Sequence, residues 1–307
     1  MTDLDWPSVE ELLEPHADSN LAVFSYGGAN LGDHIQSLAL LQHVRPRTLV
    51  LRDHFHPNPE LLLAANGWLT KGVIPTRREF GDVKFLGIYL PPRLRKPEVA
   101  ARFRGLGTIG CRDHVTAKFL QQHGIPAYLC RCATLSFPRY DGPREGILCV
   151  DVPTAIVERV RRRYGRQFGD IRTLTHHLPR PSPTEMTERL IRDQFERAHH
   201  FLSLYRKASL VVTNRIHVAL PCLAFGTPVI VLPLDDDRFE IFAGTGVDWR
   251  VAEELSWWRA WRKDAGVLPR TPDVDALRKG YTSFVQETLG HTGLLRRSAT
   301  SVTCMQA

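Results

Sequence analysis

The amino-acid sequence predicts an α/β protein built on parallel sheets. Short apolar and β-branched runs alternate with amphipathic helical stretches along the chain, which is the pattern of strands joined by crossover helices. In both halves a strand leads through a short loop directly into a helix start. With 307 residues, 43% of them hydrophobic, the chain suits two domains of ordinary size, and no sequence repeat links them.

The first predicted unit is a strand, a glycine loop and a helix. A short helix at residues 8–13 precedes a buried strand at residues 21–26, and the loop at residues 27–33 reads GGANLGD. This loop fits neither GxGxxG nor a P-loop, because Asp33 stands where a P-loop requires lysine. Two interpretations of Asp33 stay open. It is either a first-turn carboxylate favoured by the helix dipole, or an acceptor or base toward a hydroxyl.

The rest of the first half continues the alternation. Strands are predicted at residues 48–51 and 83–90, with a helix at residues 59–65 between them. Residues 108–116, TIGCRDHVT, predict a short strand that leads into a helix capped by the aspartate. Arg112 directly precedes this cap, so we expect its side chain to point into the same crevice as the other helix starts.

A stretch rich in proline, glycine and charge, PRYDGPRE at residues 138–145, predicts the boundary between the two halves. We expect an N-terminal domain over residues 1–140, a C-terminal domain over residues 141–290, and a mobile tail at residues 291–307. The elements predicted in the second half are strands at residues 146–152 and 171–175, helices at residues 154–164, 184–208 (with a break near His199) and 274–289, and a helical aromatic stretch at residues 249–261.

The most informative stretch is residues 210–233, LVVTNRIHVALPCLAFGTPVIVLP, a predicted strand–helix–strand unit. The Thr-Asn pair before Arg215 is predicted to cap the helix, and Pro221 is predicted to bend it just after the charged first turn. Arg215 offers a planar charged fork suited to carboxylate or phosphate, and His217 is suited to proton donation near neutral pH. The alternative is that Arg215 is only a surface cation and that His217 is a capping or structural histidine.

Composition limits the partners. The net charge of +7 favours anionic ligands, but the arginines are scattered through folded segments, so nucleic acid is not predicted as a partner. No apolar run approaches the ~20 residues that span a bilayer, and the acidic N-terminus does not fit a signal peptide. We therefore predict a cytoplasmic protein, attached at most peripherally to the inner face of the membrane.

No metal site is predicted. The six cysteines lack paired CxxC spacing and are expected to be reduced and buried, and Cys130 and Cys132 alone are too few ligands for zinc. The three adjacent carboxylates at residues 235–237 cannot all face one ion, so a turn is expected there.

Three segments together resemble the polysaccharide pyruvyl transferase family. They are Asn30-x-Gly32-Asp33, Gly110-x-Arg112-Asp113-x-x-Thr116, and Thr213-Asn214-Arg215-Ile216-His217 with Gly226-Thr227-Pro228-Val229-Ile230. The last is similar to the family's R-[LI]-H and G-x-P-V-I signature, and the resemblance spans about residues 21–235. The sequence departs from the family pattern at Ile216, where leucine is usual, and at Asn66-Gly67-Trp68, where the family has a glycine-rich strand end.

The resemblance implies two Rossmann-like domains that face a central, GT-B-like cleft. It implies transfer of the pyruvyl unit of phosphoenolpyruvate to a pair of sugar hydroxyls of an exopolysaccharide or lipid-linked glycan, commonly as a 4,6-ketal, with release of phosphate. No cofactor is expected beyond this donor, which the C-terminal domain would hold while the N-terminal domain takes the acceptor. The residues implied are Arg215 and Arg112 for phosphoenolpyruvate, His217 as proton donor, Asp33 toward the acceptor hydroxyl, and Asn30, Gly32 and Asn214 as further substrate contacts.

Two other functions remain open from the sequence. One is a nucleotide-sugar glycosyltransferase of the same architecture, which would carry a nucleoside pocket in the second domain. The other is a non-catalytic glycan-binding member of a polymer-synthesis complex, which would lose little function when His217 is replaced.

Overall fold

Two parallel β-sheets, one from each half of the chain, form the framework of the molecule. The computed structural model describes residues 6–69, 74–179, 186–232, 237–247 and 268–296. The strands are β1 (Leu21–Ser25), β2 (Thr48–Leu51), β3 (Asn58–Trp68), β4 (Phe80–Tyr89), β5 (Ile109–Cys111), β6 (Ala127–Leu129), β7 (Glu145–Val150), β8 (Ile171–Leu174), β9 (Ala208–Thr213) and β10 (Val229–Val231). In the described residues, the first sheet has the order β2-β1-β3-β4-β5-β6 and the second the order β10-β9-β7-β8.

Helices connect the strands and cover the sheets. They are α1 (Val9–Leu13), α2 (Leu31–Leu41), α3 (Pro97–Ala101), α4 (His114–Gln122), α5 (Thr154–Phe168), α6 (Glu188–Lys207), α7 (Ile216–Phe225) and α8 (Asp275–Leu289), with 3₁₀ turns at Pro92–Leu94, Ala133–Ser136, Asp237–Phe242 and Gly290–Thr292. None of the described helices is long and apolar enough to cross a bilayer. The predicted fold class, two Rossmann-like parallel α/β units facing a central cleft, is confirmed.

The helix predicted at residues 59–65 is wrong, because these residues lie in the middle of β3. This strand pairs in parallel with β1 on one side and β4 on the other, so residues 61–67 are buried. A central parallel strand is apolar on both faces and reads as a continuous apolar run, which periodicity cannot distinguish from a buried helix. Tertiary pairing here overrides the local helix preference of the leucines and alanines.

The start of α7 also differs from the prediction. Strand β9 extends through Thr213, so Arg215 is the N-cap residue and makes no side-chain cap bond. Thr213 instead stabilises the turn, because its Oγ1 accepts the backbone N–H of Arg215 at 2.9 Å. The bend predicted after the charged turn is confirmed: His217 has non-helical angles of φ −84° and ψ 17°, and Pro221 lies inside the helix. Proline at that position cannot donate to the carbonyl four residues earlier.

Most other predicted elements agree with the structure to within a few residues, although α6 runs through His199 without a break. The five described cysteines are buried and free, as predicted. The predictions for residues 249–261, for Asp235 and Asp236, and for all but the first residues of the tail lie outside the described residues.

One hydrophobic core joins the two units and fixes the cleft between them. Helix α2 of the first unit packs against α6 and α7 of the second, and their buried side chains belong to one cluster. The last helix, α8, returns to the first sheet, where the Tyr281 hydroxyl donates to the Leu86 carbonyl at 3.3 Å. Two backbone hydrogen bonds close the contact beside the cleft: Leu31 N–H to His176 O at 3.1 Å and Leu178 N–H to Ala29 O at 2.8 Å.

Candidate active site

A pocket of about 210 Å³ lies between the two sheets, at the carboxyl ends of their strands. Ligands of open parallel sheets bind at this edge, because the loops and helix starts that follow the strands converge there. All seven site residues predicted from the sequence line this pocket: Asn30, Gly32, Asp33, Arg112, Asn214, Arg215 and His217. Five residues that were not predicted as site residues complete the lining: Trp68, His176, Ile216, Arg238 and Phe239.

The starts of α2 and α7 approach each other closely across the cleft. Asn30 is the N-cap of α2, and its side-chain Oδ1 accepts the N–H of Gly32 at 3.2 Å. A Cβ atom placed on Gly32 would lie only 2.9 Å from Nδ1 of His217 and 3.2 Å from its Cβ. Glycine is therefore required sterically at this position, and the requirement comes from a residue of the other unit.

Asp33 is a buried carboxylate in the first turn of α2. Gln36 Nε2 donates to its Oδ1 at 3.3 Å, and Arg52 Nη1 lies 3.9 Å from its Oδ2. Burial raises the pKa of Asp33 above its usual value, although the charges of Arg52 and Arg112 oppose the shift. A carboxylate with a raised pKa is a stronger base near neutral pH than an exposed one.

Arg112 is a cation with only 2% of its surface exposed. Its guanidinium lies 4.7 Å from the centroid of the Tyr89 ring, and Nη1 donates to the neutral Gln36 side chain at 3.2 Å. No carboxylate of the described residues forms an ion pair with it, and its Nε makes no hydrogen bond. The carboxylates of Asp33 and Asp113 interact with this charge only at longer range. A buried cation without a paired counter-charge is costly, so this arrangement calls for an anionic ligand.

Arg215 is held in place by residues that follow two other strands of the second sheet. Its Nε donates to Asp151 Oδ2 at 2.9 Å, and its Nη2 contacts His177 Nε2. Asp151 directly follows β7 with φ of 53°, and it also accepts the Thr175 hydroxyl at 2.6 Å and the His176 N–H at 3.0 Å. Burial favours a raised pKa for Asp151, but these hydrogen bonds and the charge of Arg215 bring the pKa below its usual value.

The surroundings of His217 favour the neutral imidazole. Burial lowers its pKa well below the usual value, and the positive charges of Arg112 and Arg238 and the neighbouring His176 add to this shift. Its Nε2 is buried without a hydrogen-bond partner. His176 is also buried, with a pKa lowered to about 3 by desolvation, and its Nε2 lies 2.6 Å from the Tyr205 hydroxyl.

Unsatisfied polar atoms concentrate at the pocket. Buried polar groups of folded proteins nearly always have hydrogen-bond partners, so several unpaired atoms at one place indicate a ligand site. The unpaired atoms on pocket residues are Trp68 Nε1, Arg112 Nε, His176 Nδ1, Asn214 Oδ1 and His217 Nε2. Within the described ranges, no group of three His, Cys, Asp or Glu side chains is arranged to hold a metal ion.

Three of the residues missed by sequence reasoning share one signal. Trp68 ends β3, Asp151 follows β7, and His176 follows β8 by two residues. Each therefore lies at the carboxyl end of a parallel strand, the edge at which ligands bind. Only the strands that lead directly into a helix were read in this way from the sequence. Arg238 follows the last strand in the 3₁₀ turn Asp237–Phe242 and had no such local signal.

The fold and the pocket define a Rossmann-like α/β protein with a basic crevice between two parallel sheets. The family model of polysaccharide pyruvyl transferases matches residues 86–236. This match confirms the family resemblance predicted from the sequence. The matched range includes two of the three sequence motifs that carry the resemblance. No curated protein matches the sequence.

Solved structures with a similar outline share little sequence with this chain. One is a functionally uncharacterised protein of Klebsiella pneumoniae (12% identity, 81% of this chain and 93% of that chain covered, TM-score 0.43). Another is the UDP-GlcNAc 2-epimerase of Neisseria meningitidis bound to UDP-GlcNAc (12% identity, 88% and 99% covered, TM-score 0.45). A third is the S. aureus protein MnaA with UDP (9% identity, 89% and 96% covered, TM-score 0.44). We infer neither ligand nor activity from likenesses this weak.

Proposed function

We propose that the protein transfers the pyruvyl unit of phosphoenolpyruvate to a pair of hydroxyls on a glycan sugar, with release of phosphate. The observation that carries this proposal is Arg112, a buried cation in the pocket with no carboxylate partner in the described part of the chain. The family match supports pyruvyl transfer to a polysaccharide in general. The donor and the roles of individual residues are our inference from the chemistry of the pocket.

The donor fits the cations and the size of the pocket. Phosphoenolpyruvate carries a carboxylate and a phosphate, and Arg112 and Arg215 offer two guanidinium groups on opposite sheets. The N-termini of α2 and α7 add partial positive charge at the same place. The pocket volume of about 210 Å³ has room for a small anion of this kind.

His217 would supply the first proton. An anion bound between Arg112 and Arg215 raises the pKa of a neighbouring imidazole, because it offsets the positive charges that lower the pKa in the free site. The imidazolium then donates to C3 of phosphoenolpyruvate, forming a C–H bond and leaving C2 electrophilic. Proton uptake thus accompanies donor binding, and this reconciles a neutral histidine in the free protein with a proton donor in the complex.

Asp33 would receive the acceptor proton. A sugar hydroxyl attacks C2 and its proton passes to the Asp33 carboxylate, whose raised pKa makes it a competent base. The C2–O bond to phosphate then breaks and releases inorganic phosphate. A second hydroxyl of the same sugar forms the other C2–O bond of the ketal, with its proton passing to the departing phosphate.

A turnover assay tests the proposal. Phosphoenolpyruvate is incubated with the protein and methyl β-D-galactopyranoside or methyl β-D-glucopyranoside, and inorganic phosphate and the glycoside ketal are measured together. We expect wild type to form phosphate and ketal in equal amounts. Gly28→Ala should do the same, because its added methyl would meet no atom within 4 Å. His217→Gln should give neither product. Phosphate release at the same rate with and without glycoside, and no ketal, would contradict the proposal.

A further inference from the structure

Trp68 is aimed into the pocket by an irregularity in β3. The pairing of β3 with β4 shifts register between Ala65 and Gly67, and such bulges redirect side chains near active sites. Gly67 has φ of 86°, and a Cβ there would lie 3.0 Å from the Tyr26 hydroxyl. Only glycine fits both the conformation and the space. The indole that follows lines the pocket.

Arg52 connects Trp68 to the candidate base. Its Nη1 donates to the Trp68 carbonyl at 3.0 Å and lies 3.9 Å from Asp33 Oδ2. One buried guanidinium therefore fixes the backbone of Trp68 beside the Asp33 carboxylate. Under the proposed function Asp33 receives the acceptor proton, so Trp68 lies on the acceptor side of the pocket.

The surroundings of the indole combine an aromatic surface with positive charge. The guanidinium carbons of Arg93 and Arg238 each lie 5.7 Å from the centroid of the Trp68 ring. Arg93 is exposed and forms no ion pair with any described carboxylate. The indole N–H is buried without an acceptor. An apolar ring face, an unused donor and two cations suit a pyranose ring that carries a negative charge nearby.

We propose that Trp68, Arg93 and Arg238 form the acceptor subsite, and that its ligand is a negatively charged hexopyranoside. The sugar ring packs with its C–H face against the indole in place of the exposed Arg93 guanidinium, which lies over the ring in the free site. A sugar hydroxyl is thereby directed toward Asp33, and the Arg93 and Arg238 guanidinium groups bind a phosphate or carboxylate attached to the sugar. This inference rests on the proposed function for its assignment as an acceptor site, but the sugar binding itself is independent of the donor.

Calorimetric titrations with three probes test the subsite on the His217→Gln background, in which no turnover is expected. Saturating phosphoenolpyruvate is present, which keeps sugar phosphates out of the donor pocket. The probes are methyl α-D-galactopyranoside, α-D-galactose 1-phosphate and methyl α-D-galactopyranosiduronate, so the two charged probes distinguish phosphate from carboxylate. We expect at least one charged probe to bind about tenfold more tightly than the neutral one, as charge-assisted hydrogen bonds allow.

Matched variants separate the ring from the charge. Trp68→Leu should lower the affinity for all three probes by about tenfold. Trp68→Phe should retain most of the affinity, because it keeps an aromatic face. Arg93→Gln should reduce the preference for charged probes, and Arg78→Gln, which removes an exposed arginine elsewhere, should not. Thermal stabilisation by phosphoenolpyruvate checks that each variant is folded and that its donor pocket is intact.

The outcomes distinguish this inference from the proposed function. If phosphoenolpyruvate binds but Trp68→Leu binds every probe as wild type does, the acceptor subsite is overturned and the donor proposal stands. If phosphoenolpyruvate does not bind but the charged sugar does, and depends on Trp68, the donor proposal is overturned and the sugar site stands. Equal affinity for charged and neutral probes would overturn the assignment of a charged ligand.

Discussion

Gly32 and His217 meet across the cleft so closely that a Cβ on Gly32 would lie 2.9 Å from the imidazole Nδ1. The first residue belongs to the start of α2 and the second to the start of α7, so this contact joins the two halves of the site. Any side chain at position 32 must displace the histidine that we assign to proton donation. The contact thus makes the chemistry sensitive to a single methyl group.

Gly32→Ala should lower kcat by at least about tenfold, because even a small displacement of a proton donor slows the chemical step. Gly28→Ala is the matched control, since the same methyl in the same loop would meet no atom within 4 Å. Both kcat values are measured in the phosphate-release assay. Equal activity of the two variants would show that His217 need not occupy its present position.

Arg112→Met should leave the free protein as stable as wild type or more stable, because it removes a buried cation that has no carboxylate partner in the described residues. It should also abolish stabilisation by phosphoenolpyruvate. In wild type, the ligand at a hundredfold excess over Kd should raise the free energy of unfolding by about 2.7 kcal/mol. Thermal unfolding with and without ligand measures both effects. A destabilised variant that still responds to phosphoenolpyruvate would assign Arg112 a structural role.

Phosphoenolpyruvate binding should take up a proton at His217. The pKa of this histidine lies well below its usual value in the free site, and a bound anion raises it. Between the free and bound pKa values, affinity therefore falls as pH rises, by up to about tenfold per pH unit. Titration calorimetry in buffers of different ionisation enthalpy measures the proton count. His217→Gln should take up fewer protons than wild type, and an unchanged count would refute the assignment.

Asp151→Asn should raise the KM for phosphoenolpyruvate by about tenfold with a smaller effect on kcat, because Arg215 loses the charge that orients it. Asparagine has the same size and tolerates the positive φ of this position, which reduces structural disturbance. Asp141→Asn is the control, since it breaks an exposed Arg–Asp pair instead. A KM for Asp151→Asn no higher than that of the control would mean that Asp151 does not position Arg215 for the donor.

Acid should destabilise the fold partly through His34. This ring is fully buried, stacks on Phe195 with centroids 5.1 Å apart, and has a pKa lowered to about 3 by desolvation. The unfolded chain binds the proton first as pH falls, so the stability contribution is complete above about pH 6.5 and is lost toward pH 3. In wild type the unfolding free energy falls as the pH is lowered over this range. In His34→Gln the slope of this fall should be smaller by about 1.4 kcal/mol per pH unit. Denaturant titrations at several pH values check the slope.

The helix starts of the site were predictable because their signals are local. A strand, a short loop and a capping residue lie within a few positions of one another at Asn30, Arg112 and Arg215, and the structure brings all three into one pocket. The contacts that hold these residues in place were not predictable in the same way. Asp151 and Arg215 are 64 positions apart, and their ion pair depends on the neighbouring registers of β7 and β9.

The misassigned residues 59–65 show the same limit for the fold. The apolar sequence there is compatible with a helix or a buried strand, and only pairing with β1 and β4 decides between them. The bulge that follows, after which Trp68 lines the pocket, depends on that pairing as well. Sequence reasoning therefore predicted the residues that begin helices, and missed the residues whose position depends on the assembled sheet.

The most direct test of the central claim is thermal stabilisation of wild type and Arg215→Ala by phosphoenolpyruvate, with UDP and GDP measured beside it. A ligand that binds only the folded state raises the melting temperature by mass action. We expect a rise with phosphoenolpyruvate that disappears in Arg215→Ala, and no rise with either nucleotide. A rise with a nucleotide alone would contradict the account and identify the pocket as a nucleotide-sugar site.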